Sequence, residues 1–107
     1  MIVLVDSTVR PAEVRLDEAA DFRRFHVEVR GPAGSLDVDR ILRNSDVGRA
    51  EGDEAFISPE ALRRLAGGVA SPDWLDGLRS MTGFARDKGW VDEGGWIQAH
   101  VERDTAS

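Results

Sequence analysis

The sequence predicts a single α+β domain in which a small, mostly antiparallel sheet packs against three helices. Strand-like alternation occurs near both ends of the chain, and two Ser-Pro helix starts lie between them. The length of 107 residues fits one domain. We predict that this domain spans residues 1–103 and that residues 104–107 form a frayed tail.

The first third of the chain is predicted to supply the first strands. Residues 2–5 are a continuous aliphatic run, which is typical of a strand covered on both faces. Residues 12–16 alternate as in a short strand, and we expect Asp17 to cap one or two helical turns after it. Residues 24–30 alternate without a break, with three apolar side chains on one face and His26 on the other.

The middle of the chain predicts one helix and one short strand. Ser35 can cap a helix that ends near Asn44. The apolar residues expected to face inward are Leu36, Ile41 and Leu42. The polar stretch 49–53 is expected to be a loop, and residues 55–57 a brief strand.

Two further helices are predicted from repeated start signals. Ser58-Pro59 and Ser71-Pro72 each place a serine cap before a proline at the first helical position. The first helix is expected to end at a glycine pair, and the second to reach residues 87–88. Gly77 and Gly83 lie inside the second helix, and each weakens it by about 1 kcal/mol relative to alanine. We therefore expect tertiary packing to hold this helix.

The C-terminal part predicts a β-hairpin around the loop 92–95. On a four-residue loop Val91 lies opposite Trp96, which places Trp90 on the core face and Trp96 on the other face. Tryptophan is enriched at binding hot spots. Trp96 is therefore a candidate contact residue, unless other strands cover it.

The order of elements from Ser35 onward resembles the winged helix-turn-helix family over about two thirds of the chain. Lys88-Gly89-Trp90-Val91 would lead from the last helix into the hairpin. The resemblance implies that the helix at 72–88 is a recognition helix and that the loop 92–95 is the tip of the wing. The charges oppose DNA binding, because acids balance bases on this helix and the loop carries two acids. Nucleic acid is therefore disfavoured as a partner.

Charge and cysteine content exclude several classes of function. The net charge of -6 is spread evenly, with -3 on each side of the Asp53–Glu54 bond. The absence of cysteine excludes disulfides, thiolate zinc sites and cysteine nucleophiles, and it fits a reducing cytoplasm. No apolar run is long enough for a membrane span or a signal peptide. We expect a cytoplasmic protein without membrane association.

The two histidines are the candidates for acid–base chemistry, because histidine is the residue whose ordinary pKa suits proton transfer near neutral pH. No nucleophile motif is assembled, and the acidic residues do not match a calcium loop. We expect no metal and no cofactor. His26 and His100 both fall on polar strand faces. If the two strands were neighbours, these imidazoles could converge with Glu28 and Glu102 into an acid–base or metal-binding group. Ordinary solvated side chains are the alternative.

The leading hypothesis for function is a non-catalytic cytoplasmic module that contacts a protein partner or a second copy of itself through Trp96. Arg63 and Arg64 could flank such a contact. A winged-helix DNA-binding protein is the first alternative. A small enzyme or ligand-binding domain that uses His26 and His100 is the second.

Overall fold

The fold is α+β, with six strands and three α-helices in the computed structural model, which describes residues 1–103. The strands are β1 Ile2–Asp6, β2 Glu13–Asp17, β3 His26–Arg30, β4 Gly48–Glu51, β5 Glu54–Ile57 and β6 Ile97–Arg103. The helices are α1 Ser35–Asn44, α2 Pro59–Ala66 and α3 Pro72–Asp87. The tail predicted at 104–107 lies outside the described residues.

All six strands form one mixed sheet in the order β2-β1-β3-β6-β5-β4. β3 runs parallel to both of its neighbours, β1 and β6. The outer pairs β1–β2, β5–β6 and β4–β5 are antiparallel. A mostly antiparallel sheet is therefore not confirmed, because the centre of the sheet is parallel.

The N-terminal strand occupies the interior of the sheet, as its sequence predicts. β1 pairs with β2 on one side and β3 on the other. Its residues Val3, Leu4 and Val5 are fully buried, although Leu4 lies on the opposite face from the two valines. Burial on both faces explains why this strand is continuously apolar while β3 alternates.

The predicted helical turns after Asp17 are wrong. β2 continues through Asp17, and turns at residues 19–20 and 22–23 follow it. In the first turn the Asp21 N–H donates to the Glu18 carbonyl at 3.0 Å. The apolar residues of this segment are spaced as in a helix, which favoured that prediction, but pairing with β1 keeps Asp17 extended.

The first helix differs from the prediction at its start and on its inner face. Gly34 occupies the N-cap position, and no side chain of the described residues 1–103 caps the helix. Leu36 is 82% exposed, whereas Val38 and Leu42 are buried. Residues 38 and 42 share a face because they are one turn apart, and Leu36 is about 200° away from Val38 around the helix.

The predicted loop at 49–53 is wrong, because most of it forms β4, the edge strand paired with β5. Its polar composition suits an edge, and α1 covers that edge with a side chain. Asp39 Oδ1 accepts hydrogen bonds from the Ala50 N–H and the Arg43 Nε, both at 2.9 Å. The first of these bonds is the main reason that the pKa of Asp39 lies below its usual value.

The two Ser-Pro helix starts are confirmed. Ser58 Oγ accepts from the Ala61 N–H at 3.3 Å, and Ser71 Oγ accepts from the Trp74 N–H at 3.2 Å. Among residues 1–103, no helix combines the length and the apolar character that a membrane span requires.

The C-terminal hairpin is shifted by one residue from the predicted register. Val91 pairs with Ile97 in a single bridge rather than with Trp96. The loop is set by Asp92, whose Oδ1 accepts from the Gly94 and Trp96 N–H groups, each at 2.9 Å. The winged-helix arrangement is not confirmed, since the second hairpin strand, β6, lies inside the sheet between β3 and β5.

The connection between β2 and β3 is anchored on α3 by aromatic packing. The Phe22 and Trp74 rings lie 5.8 Å apart, and the Trp74 Nε1–H donates to the Ala19 carbonyl at 2.8 Å. Gly77 lets the ring approach closely, because a Cβ at that position would lie 2.5 Å from a ring carbon of Phe22. The same contact explains how tertiary packing holds a helix that contains this glycine.

The two interior glycines of α3 should respond oppositely to alanine. Gly83→Ala places its Cβ in open space, so the free energy of unfolding should rise by about 1 kcal/mol. Gly77→Ala displaces the Phe22 ring, so the free energy of unfolding should fall by about 1–2 kcal/mol. Urea unfolding measures both values, and a stabilising Gly77→Ala would contradict the close contact.

Candidate binding site

A cavity with a volume of about 410 Å³ lies between α3 and β6. The β2–β3 connection forms another part of its lining, through Phe22, Arg23 and Phe25. This volume falls within the range of roughly 300–1,000 Å³ that small-ligand pockets occupy. The Phe22 contact with α3 therefore fixes part of a binding-sized cavity.

Four of the seven aromatic residues of the chain line this cavity. Phe22 and Phe25 come from the β2–β3 connection, Phe84 from α3, and Trp90 from the chain just after α3. Phe84 is 57% exposed and Trp90 is 47% exposed. Their rings meet edge to face with centroids 6.0 Å apart, so they form one exposed aromatic pair.

The rest of the lining divides into an apolar part and a polar part. Met81 and Ala85 of α3 and Ile97 and Ala99 of β6 supply the remaining apolar side chains. The polar residues are Arg23, Glu54, Gln98 and His100. Such a combination can hold an apolar body and fix a polar group at the same time.

His26 and His100 are neighbours, since β3 and β6 pair in parallel with these two residues in register. His26 Nε2 lies 3.5 Å from Glu102 Oε2. Only His100 lines the cavity. Within residues 1–103, no group of three or more histidine or acidic side chains is placed to hold a metal ion. The structure thus brings the histidines together but does not form a metal site from them.

Trp96 faces away from the core, as predicted, but it is partly covered. The Arg49 guanidinium lies 5.7 Å from the centre of the Trp96 ring and 4.4 Å from that of Phe56. Arg49 also pairs with Asp92 at 2.8 Å. Burial opposes ionisation of Asp92, but hydrogen bonds from Trp96, Arg49 and Gly94 outweigh it, and its pKa is lowered.

The predicted core position of Trp90 is wrong, and Phe84 was not among the predicted contact residues. The one-residue shift of the hairpin register moves Trp90 off the core face. Trp96 lies off the core face in both registers, and Arg49 partly covers it. A signal for Phe84 was present, because it lies outside the apolar stripe of α3 that contains Leu78 and Ala85.

Arg63 and Arg64 lie on α2 and do not line the cavity. Arg63 pairs with Glu60 at 2.7 Å. Arg64 donates to the carbonyls of Ser45 at 2.9 Å and Asp46 at 3.1 Å, just after α1. Arg64 therefore ties α2 to the end of α1, which gives it a role within the fold.

No protein-family model, curated protein or solved structure matches this chain. The function is therefore inferred from the cavity and the side chains around it.

Replacing Trp74 and Trp90 by alanine should distinguish a core residue from a surface residue by the loss in the free energy of unfolding. Trp74→Ala removes a buried ring and its hydrogen bond, and should lower the free energy of unfolding by about 3–5 kcal/mol. Trp90→Ala removes a half-exposed ring and should cost about 1–2 kcal/mol. Equal losses in urea unfolding would mean that Trp90 belongs to the core and is not a surface contact.

Proposed function

We propose that this chain is a non-catalytic binding module that contacts a protein partner through the aromatic surface formed by Phe84, Trp90 and the adjacent cavity. The exposed Phe84–Trp90 pair at the cavity carries this proposal. Large aromatic residues are enriched at the energetic centres of interfaces. The proposal keeps the class of function expected from the sequence but moves the contact from Trp96 to Trp90.

The exposed parts of the two rings are large enough to contribute usefully to binding. Aromatic side chains bury about 150–250 Å² each, so covering both exposed parts removes roughly 200 Å² of surface from water. That area corresponds to about 5 kcal/mol before the costs of association. An aromatic pair with a neighbouring cavity can therefore serve as the centre of an interface.

The chemistry of the cavity favours binding over catalysis. Its lining contains one imidazole, of His100, and one carboxylate, of Glu54. Both residues are exposed, whereas catalytic acid–base groups commonly lie buried in a cleft. The second imidazole, of His26, contacts Glu102 and does not line the cavity.

DNA binding has less support than a protein contact. α3 would be the recognition helix of a winged-helix protein, but its acids balance its bases, counting Lys88 at its C-cap. The loop that would form the wing tip carries Asp92 and Glu93. Phosphate recognition needs an excess of cations, which neither element supplies.

Photo-crosslinking from the aromatic surface tests the proposal. A benzophenone amino acid at position 84 should crosslink to one discrete protein in the cells that make this chain. Trp90→Ala should lower that yield at least about 5-fold, as expected for a hot-spot contact. Trp96→Ala should leave the yield within about 2-fold, because Trp96 does not line the cavity.

The matched control carries the same crosslinker at position 36, which is 82% exposed on α1. Light scattering of the purified chain determines whether the partner is a second copy. Equal crosslinking from positions 36 and 84, or insensitivity to Trp90→Ala, would contradict the proposed surface.

A further inference from the structure

We infer that the aromatic cavity receives a protonated lysine or arginine side chain of a basic protein partner. The inference rests on the proposed function, because it specifies the chemistry of the partner at that surface. Four observations support it: the rings, the apolar walls, the position of Glu54, and the net charge of the chain.

The rings provide the first argument. Phe22, Phe25, Phe84 and Trp90 all line one cavity. The face of an aromatic ring is electron-rich, so it attracts a cation that comes within about 6 Å of its centre. An anion gains nothing from these faces. The chain itself contains such a contact, because Lys88 Nζ lies 5.5 Å from the centre of the Phe84 ring.

The apolar walls fit the stem of a basic side chain. Lysine and arginine carry three or four methylene groups below the charged group, and they bury these groups against apolar surfaces. Met81, Ile97 and Ala99 provide such a surface within the cavity. A compact inorganic cation would leave these walls without a contact.

Glu54 provides the charge that complements the incoming cation. Within residues 1–103 it is the single carboxylate that lines the cavity, and its backbone position on β5 is in register with His100 of β6. On its other side Glu54 is in register with Glu51 of β4, and Asp53 precedes it in the chain. Three acidic residues therefore lie together at the β4–β5 turn, and Glu54 is the one that lines the cavity.

Two positively charged side chains of the chain lie near the same cavity, and they allow a test of the sign of the occupant's charge. Arg23 lines the cavity, but its side chain is 95% exposed and it is 4.0 Å from Asp21. Lys88 is also exposed. If the occupant is a cation, removing either positive charge should strengthen its binding. The same change would weaken the binding of an anion.

The net charge of -6 indicates the character of the whole partner. Opposite charge accelerates association, and like charge opposes it. A second copy of this chain would carry the same -6, so a basic protein is the better occupant.

An NMR titration with fragments of matched shape tests the inference on the full chain. n-Butylammonium represents the lysine side chain, and valerate supplies a similar stem with the opposite charge. At constant ionic strength, n-butylammonium should shift the indole N–H signal of Trp90 and the amide signals of residues 97–100 along a saturating curve. Valerate should bind at least about 5-fold more weakly, because it meets Glu54 and the ring faces.

Charge-removing variants define the site, and their amide spectra verify that each one is folded. Glu54→Gln should weaken the binding of n-butylammonium about 2- to 5-fold. Glu51 does not line the cavity, so Glu51→Gln should change this affinity less. Removing a nearby positive charge, by Arg23→Gln or Lys88→Gln, should strengthen the binding of n-butylammonium about 2- to 5-fold.

Equal or tighter binding of valerate, or weaker n-butylammonium binding in Arg23→Gln, would overturn the inference. The result is separable from the crosslinking test. If a partner crosslinks at position 84 but the cavity prefers valerate, the proposed protein contact stands and the cationic occupant is contradicted. If the cavity prefers n-butylammonium but no protein crosslinks at position 84, the proposed function as a protein-binding module is contradicted.

Discussion

The contact of the Phe22 ring with α3 at Gly77 is the constraint on which the cavity depends. Phe22 belongs to the connection between β2 and β3, while Gly77 lies in the third helix. The ring also packs on Trp74, whose indole N–H holds the Ala19 carbonyl of the same connection. These contacts fix one part of the cavity lining at the position where residues of α3 and β6 supply the rest.

The elements with local signals could be predicted from the sequence, and those that depend on pairing could not. Serine caps and helix-start prolines define α2 and α3 within a few residues. β4 lacks a local signal because it is polar, and it becomes a strand through its pairing with β5 and its hydrogen bond to Asp39. The parallel pairing of β3 with β6 joins residues more than 70 positions apart, so no local pattern can encode it.

The candidate site was predicted only in part, for the same reason. The alternation of two strands placed His26 and His100 on polar faces, and their registered pairing made them neighbours. Whether Trp90 faces the core depended on one residue of hairpin register, and the Asp92 carboxylate holds the hairpin loop through backbone hydrogen bonds. The cavity draws residues from several separate segments, so it becomes visible only after they pack.

The most direct test of this account is a measurement of proximity between Phe22 and Gly77 in solution. The close approach predicts strong nuclear Overhauser effects between the Phe22 ring protons and the Gly77 Hα protons, with Hα resonances displaced by the ring current. Absence of these cross-peaks, with random-coil shifts for the Gly77 Hα protons, would contradict the contact and the cavity that depends on it.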